Sequence, residues 1–156
     1  MTLGRFASAS VGASLLAMLL SACANGPSVQ LTSATGDELQ RASRQLGSEE
    51  LQQLVRPGSK VVRRTPEGYF HFWTNEPDGT FVSHTESSFF WGRGKWLVHD
   101  NTYCVRIEWN SKDFGRTVNE AYCYGIYAKG DRLFQGPPMI TPAMTSQKFG
   151  EIRFSN

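Results

Sequence analysis

The sequence predicts a mainly β domain, an antiparallel small barrel or sandwich of about eight strands with one or two short N-terminal helices. Two observations lead to this prediction. From residue 60 to residue 154 the chain alternates short strand-like segments with turn signals. No helical pattern separates these segments, which favours antiparallel pairing of successive strands. The only helical pattern lies earlier, in residues 36–55.

The helical stretch begins with a capping box. Thr35 precedes it and Glu38 follows three residues later, so each side chain can bond the backbone of the other residue. Gly47 interrupts the apolar periodicity, and the acidic residues after Ser48 mark a second helix start. Pro57-Gly58 ends the pattern. We therefore expect two short helices packed on a sheet.

Eight later segments fit β-strands, because apolar, β-branched and aromatic residues alternate with polar ones and turn residues bound each segment. They are residues 60–65, 68–74, 80–86, 95–99, 102–109, 120–128, 132–135 and 148–154. Gly92-Arg93-Gly94 is interpreted as a tight turn. Residues 136–145 contain three prolines and are interpreted as a surface loop.

The first 22 residues have the parts of a secretory signal peptide: a positive charge at Arg5, then an uncharged apolar stretch that ends in small residues. Its end, Leu20-Ser21-Ala22-Cys23, resembles the lipobox of bacterial lipoproteins, whose cysteine receives a diacylglycerol before the chain is cut ahead of it. The resemblance implies a signal peptide in residues 1–22 and lipidation of Cys23. A retained membrane helix and a cut that leaves Cys23 as a thiol are the weaker interpretations.

Cleavage before Cys23 leaves 134 of the 156 residues. Residues 23–35 are mostly small and polar and are interpreted as a flexible tether, and residues 36–156 as one β-rich periplasmic domain. Acyl chains on the cysteine give lasting membrane attachment. The next residue is Ala24 and not the aspartate of inner-membrane lipoproteins. By resemblance to that sorting pattern, we expect the outer membrane, with the domain in the periplasm or at the cell surface.

The other two of the three cysteines lie in neighbouring strand segments. In an antiparallel hairpin that places Cys104 opposite Cys123, Val105 falls opposite Tyr122. One register therefore joins the cysteines and brings the apolar faces of both strands together. Because the envelope is an oxidising compartment, we expect a structural disulfide between them.

The formal net charge of +2 gives no general attraction to nucleic acid, and no nucleic-acid partner is expected. The one basic concentration consists of Arg56, Lys60, Arg63 and Arg64. We interpret it as a solvated strand edge, where basic side chains discourage pairing with another chain. The alternative is contact with anionic lipid or glycan.

Aromatic residues are concentrated between Tyr69 and Trp96. In the stretch GYFHFW, residues 68–73, rings occupy consecutive positions and therefore point to both faces of one strand. Either a helix covers the second face, or some rings form a binding surface for glycan, lipid or protein. The candidate binding surface consists of Tyr69, His71, Trp73, Phe90, Trp91 and Trp96.

The sequence gives little sign of catalysis. It lacks the nucleophile-elbow, zinc-protease and phosphate-loop motifs. His71, His84 and His99 lie on three different predicted strands, which makes a three-histidine metal site the weaker interpretation. Ser83 and His84 are adjacent on a strand and point to opposite faces, which disfavours a hydrolytic pair. We therefore predict no enzyme activity, no catalytic residues, no metal and no cofactor.

Several short motifs resemble those of one known group. Gly94-Lys95-Trp96, Asn101-Thr102-Tyr103-Cys104, Cys123 and Gly130-Asp131 together resemble a group of uncharacterised proteobacterial secreted proteins, known as a domain of unknown function. The likeness covers residues 49–132. Since that group has no assigned activity, the resemblance implies only the fold and an envelope setting.

These features predict an outer-membrane-anchored lipoprotein that serves as a non-catalytic binding or structural module of the cell envelope. Its N-terminal lipid holds it to the membrane, and its domain is expected to meet an envelope protein, glycan or lipid. The alternatives are a lysozyme-inhibitor-like lipoprotein, whose loop motif is absent here, and a calycin-like carrier of a small apolar ligand.

Overall fold

The structure, a computed structural model, describes residues 30–86, 90–111 and 117–155. Its strands are β1 (Ser33–Thr35), β2 (Arg44–Gln45), β3 (Lys60–Arg64), β4 (Phe70–Thr74), β5 (Thr80–Thr85), β6 (Phe90–His99), β7 (Thr102–Ser111), β8 (Thr117–Lys129), β9 (Arg132–Gly136) and β10 (Lys148–Ser155). Strands β3 to β10 pair in chain order, all antiparallel, and β10 also pairs with β3. The predicted mainly β class is confirmed, and the barrel is closed.

Two short helices precede the barrel, as predicted: α1 (Gly36–Ala42) and α2 (Ser48–Leu54). The capping box is present, since the Glu38 N–H donates to the Thr35 hydroxyl at 3.2 Å and the Thr35 N–H donates to the Glu38 carboxylate at 2.8 Å. The short β2 between the helices pairs with β8. Within the described ranges, no helix has the length and apolar character needed to cross a bilayer.

The domain begins before the predicted boundary at Gly36. β1 pairs with β10, with Ser33 opposite Gly150, and both Leu31 and Ala34 are buried. The predicted tether of residues 23–35 is therefore too long at its C-terminal end. The physical reason lies in β10, whose residues 152–155 pair with β3 and whose first residues offer their backbone groups to β1.

The hairpin of β7 and β8 has the predicted register. Cys104 lies opposite Cys123 and Val105 lies opposite Tyr122. The two cysteines form the expected disulfide, with their Cα atoms 4.0 Å apart. The alternate residues of β7, among them Tyr103 and Val105, are buried. Closing a loop of this length stabilises the fold by roughly 3 kcal/mol in the chain-entropy model.

The turn predicted at Gly92-Arg93-Gly94 is wrong, because β6 runs through it without a break. A Cβ atom on Gly94 would lie 2.3 Å from the Arg106 carbonyl oxygen and 2.5 Å from the Phe81 ring. A Cβ atom on Gly92 would lie 2.7 Å from the Ile107 side chain. These glycines serve close packing inside the barrel and not a reversal of the chain.

Residues 136–145 differ in part from the predicted surface loop. Gly136 is the last residue of β9, and a short 3₁₀-helix spans Pro142–Met144. The segment is anchored to the barrel where the Tyr127 hydroxyl donates to the Pro137 carbonyl at 2.7 Å.

Most of the barrel interior is filled with apolar side chains. The buried members of this core are Leu46, Leu51, Val55, Val61, Trp73, Phe81, Tyr103, Val105, Ile107, Ile126 and Ile152. A smaller cluster outside the barrel, formed by Ala34, Leu39, Tyr127, Phe134 and Phe149, holds α1 in place. Both clusters combine residues from distant parts of the chain, so burial of apolar area stabilises the closed barrel as a whole.

Candidate functional site

The two ends of the barrel differ. At one end α2 covers the core: the Ser48 N–H donates to the Asn101 side chain in the β6–β7 turn at 2.7 Å, and Leu51 and Val55 pack on interior residues. At the other end, called the open end below, the described residues line a cavity of about 660 Å³. Pockets that hold small ligands range from about 300 to 1,000 Å³. The cavity at the open end therefore has the volume of a small-ligand binding site.

Arg63 is the cationic residue of this cavity. It lies two positions after the buried Val61 on β3, so it points to the same side, into the barrel. Its Nη1 donates to the Tyr124 hydroxyl at 2.6 Å, and its Nε and Nη2 lie 3.3 and 3.1 Å from His71 Nδ1. Among the described residues, no carboxylate forms an ion pair with Arg63.

His71 is the acceptor that orients this guanidinium. Since arginine can only donate, His71 Nδ1 accepts and the ring proton is assigned to Nε2. Burial, and then the charge of Arg63, lowers the pKa of His71 to about 4. The imidazole is therefore neutral near pH 7. Its ring packs edge-on against Trp109, with ring centroids 5.1 Å apart.

Glu120 and two tyrosines line the next part of the wall. The Trp109 indole N–H donates to the Glu120 carboxylate at 2.8 Å. The rings of Tyr122 and Tyr124 stack with centroids 5.7 Å apart. Burial, and then the Glu120 carboxylate, raises the pKa of Tyr122, and burial raises the pKa of Tyr124. Both phenols therefore stay protonated and can donate hydrogen bonds.

The side-chain oxygen of Gln135 is a hydrogen-bond acceptor to which no described group donates. Gln135 follows Phe134 on β9, is only 6% exposed and lines the cavity. In the described part of the chain its side-chain oxygen Oε1 has no hydrogen-bond partner. Leaving a buried polar group unpaired costs about 1–3 kcal/mol. Such an atom at a cavity wall is a place where a ligand donor would be stabilised.

The six predicted aromatic positions do not form one surface. Tyr69 and His71 line the cavity. Trp73 is buried in the core, and Trp96 packs against that core. Trp91 stacks beneath Arg93, with the guanidinium 5.7 Å from the ring centre, while Phe90 begins β6 and is 41% exposed. Their positions follow from strand parity, which separates neighbours in sequence onto opposite faces.

The prediction that the basic cluster marks a strand edge is wrong for β3. This strand is paired on both sides, with β4 and with β10. Arg63 lies in the interior because it shares a face with the buried Val61. The sequence-based interpretation missed Arg63 together with Glu120, Tyr124 and Gln135. The alternation of Val61 with Arg63 was a usable signal, because residues two apart on a strand share a face.

The three histidines lie at separate places in the fold. His71 is inside the barrel, His84 lies opposite Phe72 on the outer face, and His99 pairs with Thr102 at the β6–β7 turn. Over the described residues, no group of three or more potential metal ligands comes together. Cys123 lies at the rim of the cavity in its disulfide with Cys104, and Cys23 lies outside the described residues.

The neutral His71 makes the stability of the fold depend on pH. Its folded-state pKa of about 4 lies below the ordinary value of 6.5, so the unfolded chain takes up the proton first. The stabilisation is complete above about pH 6.5 and is lost as the pH falls towards 4. For this partly buried ring we expect a loss of about 2 kcal/mol.

Denaturant unfolding of wild type and His71→Gln at several pH values checks this expectation. Glutamine can still accept from Arg63 but does not titrate. Carboxylates with lowered pKa values, such as those of Glu38 and Glu67, titrate in both proteins. The difference between the two curves reports the titration of His71 together with its charge coupling to Glu67. Parallel curves between pH 6.5 and 4 would contradict the assignment.

Comparison with protein-family models, with curated proteins and with solved structures found no match.

Proposed function

We propose that this chain is an outer-membrane lipoprotein, anchored through Cys23, whose barrel is a non-catalytic module that binds a small molecule at its open end. The anchor rests on the resemblance of Leu20-Ser21-Ala22-Cys23 to a lipobox. The binding role rests on one observation, the cavity of about 660 Å³ at the end of the barrel that α2 does not cover.

The shape of the cavity favours a small molecule over a structural role or a flat protein contact, because concave sites of this volume enclose most of a ligand's surface. A cup at one end of a closed barrel agrees with the calycin-like alternative. A wholly apolar ligand is disfavoured, since Arg63 and Gln135 lie in the wall and would lose contact with water without gaining a partner.

The anchor is tested by the intact mass of the protein extracted from membranes, measured with and without reduction. We expect the mass of residues 23–156 plus acyl groups, rising by two hydrogens when the disulfide of Cys104 and Cys123 is reduced. A mass without acyl groups would overturn the proposed lipid anchor and membrane location.

Binding is tested by native mass spectrometry of gently purified protein, which we expect to carry a small molecule. Substitutions at two exposed positions, one in the cavity and one outside it, test where the molecule binds. Tyr69 is 67% exposed and lines the cavity, whereas Val82 is 43% exposed on the outer face. Tyr69→Ala should reduce the bound fraction and Val82→Ala should leave it unchanged. Absence of any bound molecule, or an equal loss in both variants, would count against the site.

A further inference from the structure

The wall of the cavity specifies the ligand more closely, and this step rests on the proposed binding function. Arg63 has five N–H donors. One donates to Tyr124 and two point to His71 Nδ1. Two donors remain, one on each terminal nitrogen. A carboxylate takes two parallel N–H bonds from a guanidinium, so this number suits one carboxylate group.

Among the described residues no carboxylate forms an ion pair with Arg63, whose guanidinium lies 5.9 Å from the ring centre of Trp73 and 5.5 Å from that of Tyr124. His71 is neutral, and Glu120 accepts from Trp109. The pKa of Glu67 is lowered mainly by its own backbone N–H and by Thr65, and less by the charge of Arg63. Both carboxylates still lie near the opening. They disfavour a ligand with several negative charges, such as a phosphate, and permit one with a single negative charge.

Gln135 adds a second requirement. Its unpartnered oxygen needs an N–H or O–H donor, and a simple fatty acid in its ionised form has none. An amide N–H next to a carboxylate supplies both groups within one small unit. The rest of the wall is apolar or aromatic, with Tyr69, Tyr122, Tyr124, Pro137, Met144 and Phe149. Such a wall suits an alkyl or aromatic body.

We propose that the cavity binds a small acylated amino acid or the C-terminal end of a short peptide. The carboxylate binds Arg63, the neighbouring amide N–H donates to Gln135 Oε1, and the apolar part of the ligand packs against the tyrosines. The chemistry is recognition only, and no bond is made or broken.

Calorimetric titration of the full chain in non-ionic detergent tests this with four small aromatic probes. N-acetylphenylalanine carries both the carboxylate and the amide N–H, and its carboxamide lacks the charge. 3-Phenylpropionate lacks the acetamido group and with it the N–H, and phenyl phosphate carries more negative charge. We expect the first probe to bind about 10- to 100-fold more tightly than its carboxamide, and several-fold more tightly than 3-phenylpropionate and phenyl phosphate.

Two variants test which residue recognises the carboxylate and which recognises the amide N–H. Arg63→Gln should remove the preference for the acid over the carboxamide. Gln135→Leu should remove the preference for N-acetylphenylalanine over 3-phenylpropionate and keep the preference for the acid. The wild-type probe series stands even if Arg63→Gln fails to fold.

The outcomes separate this inference from the function on which it rests. Equal binding of acid and carboxamide, or a co-purified ligand without a carboxylate, overturns the inference and leaves the binding function intact. Equal binding of N-acetylphenylalanine and 3-phenylpropionate overturns the role of Gln135. If no probe binds and no ligand co-purifies, both proposals fail.

Discussion

Replacing Gly150 with alanine is expected to lower the free energy of unfolding by at least about 3 kcal/mol, the upper end of the usual cost of overpacking. A Cβ atom there would lie 1.7 Å from the Arg64 carbonyl oxygen and 2.7 Å from its carbonyl carbon. These are backbone atoms, which cannot rotate away as a side chain could. The strands themselves must therefore separate.

Gly150 occupies the seam that closes the barrel. β10 pairs with β1 at Gly150 and with β3 from Ile152 onwards, where Ile152 lies opposite Arg63. Separation of the strands at this point moves Arg63 as well as the backbone. Because Gly150 also lines the cavity, the substitution should weaken ligand binding together with stability.

Urea unfolding followed by fluorescence of the four tryptophans measures the change. Gly47→Ala is the matched control, because a Cβ atom there has its nearest neighbour, the Asn101 side chain, at 3.9 Å. We expect the control to cost less than about 1 kcal/mol, mostly through the weaker N-cap. Equal midpoints for the two variants would contradict the close approach at the seam.

The hairpin register illustrates what sequence patterns can predict. The alternation in β7 and β8 has a period of two, and a slip by one residue would expose the apolar face. Cys104 and Cys123 then select one of the remaining registers, which the structure confirms. Both signals are local to the hairpin, so no knowledge of the rest of the fold was needed.

The cavity could not be predicted in the same way. Arg63 meets Tyr124, 61 residues further along the chain, only because the barrel closes. Without the pairing of β3 with β10, Arg63 belongs to a basic run that resembles an exposed edge. Gly92 and Gly94 misled for a related reason: glycine is typical of turns, and its role in close packing depends on partners such as Phe81 from another strand.

Replacing Asn75 with leucine is expected to cost about 3 kcal/mol, at the closed end of the barrel and without a direct effect on the cavity. Asn75 is fully buried. Its Oδ1 accepts from the Trp73 indole N–H at 3.1 Å and from the Tyr103 hydroxyl at 3.0 Å, and its Nδ2 donates to the Ser59 hydroxyl at 3.0 Å.

Leucine is similar in size but offers no polar atom. The Trp73 N–H keeps a second acceptor, the Tyr103 oxygen at 3.0 Å. The Tyr103 hydroxyl loses the acceptor for its own proton, and Tyr103 is fully buried. A buried donor without a partner costs about 1–3 kcal/mol. Loss of the donor to Ser59 and imperfect packing account for the rest of the expected change.

A double-mutant cycle with Tyr103→Phe, run in a Trp73→Phe background, separates the orphaned hydroxyl from packing. The background removes the indole N–H, which would otherwise lose both of its acceptors in the double variant. In that background Tyr103→Phe removes the remaining donor to the Asn75 oxygen and should cost about 1–3 kcal/mol. In the double variant the hydroxyl that Asn75→Leu would strand is absent. The loss of unfolding free energy in the double variant should therefore be smaller than the sum of the two single losses by about 1 kcal/mol or more. Additive costs would show that Asn75 stabilises the closed end by packing alone, and that the hydrogen bond to Tyr103 contributes nothing.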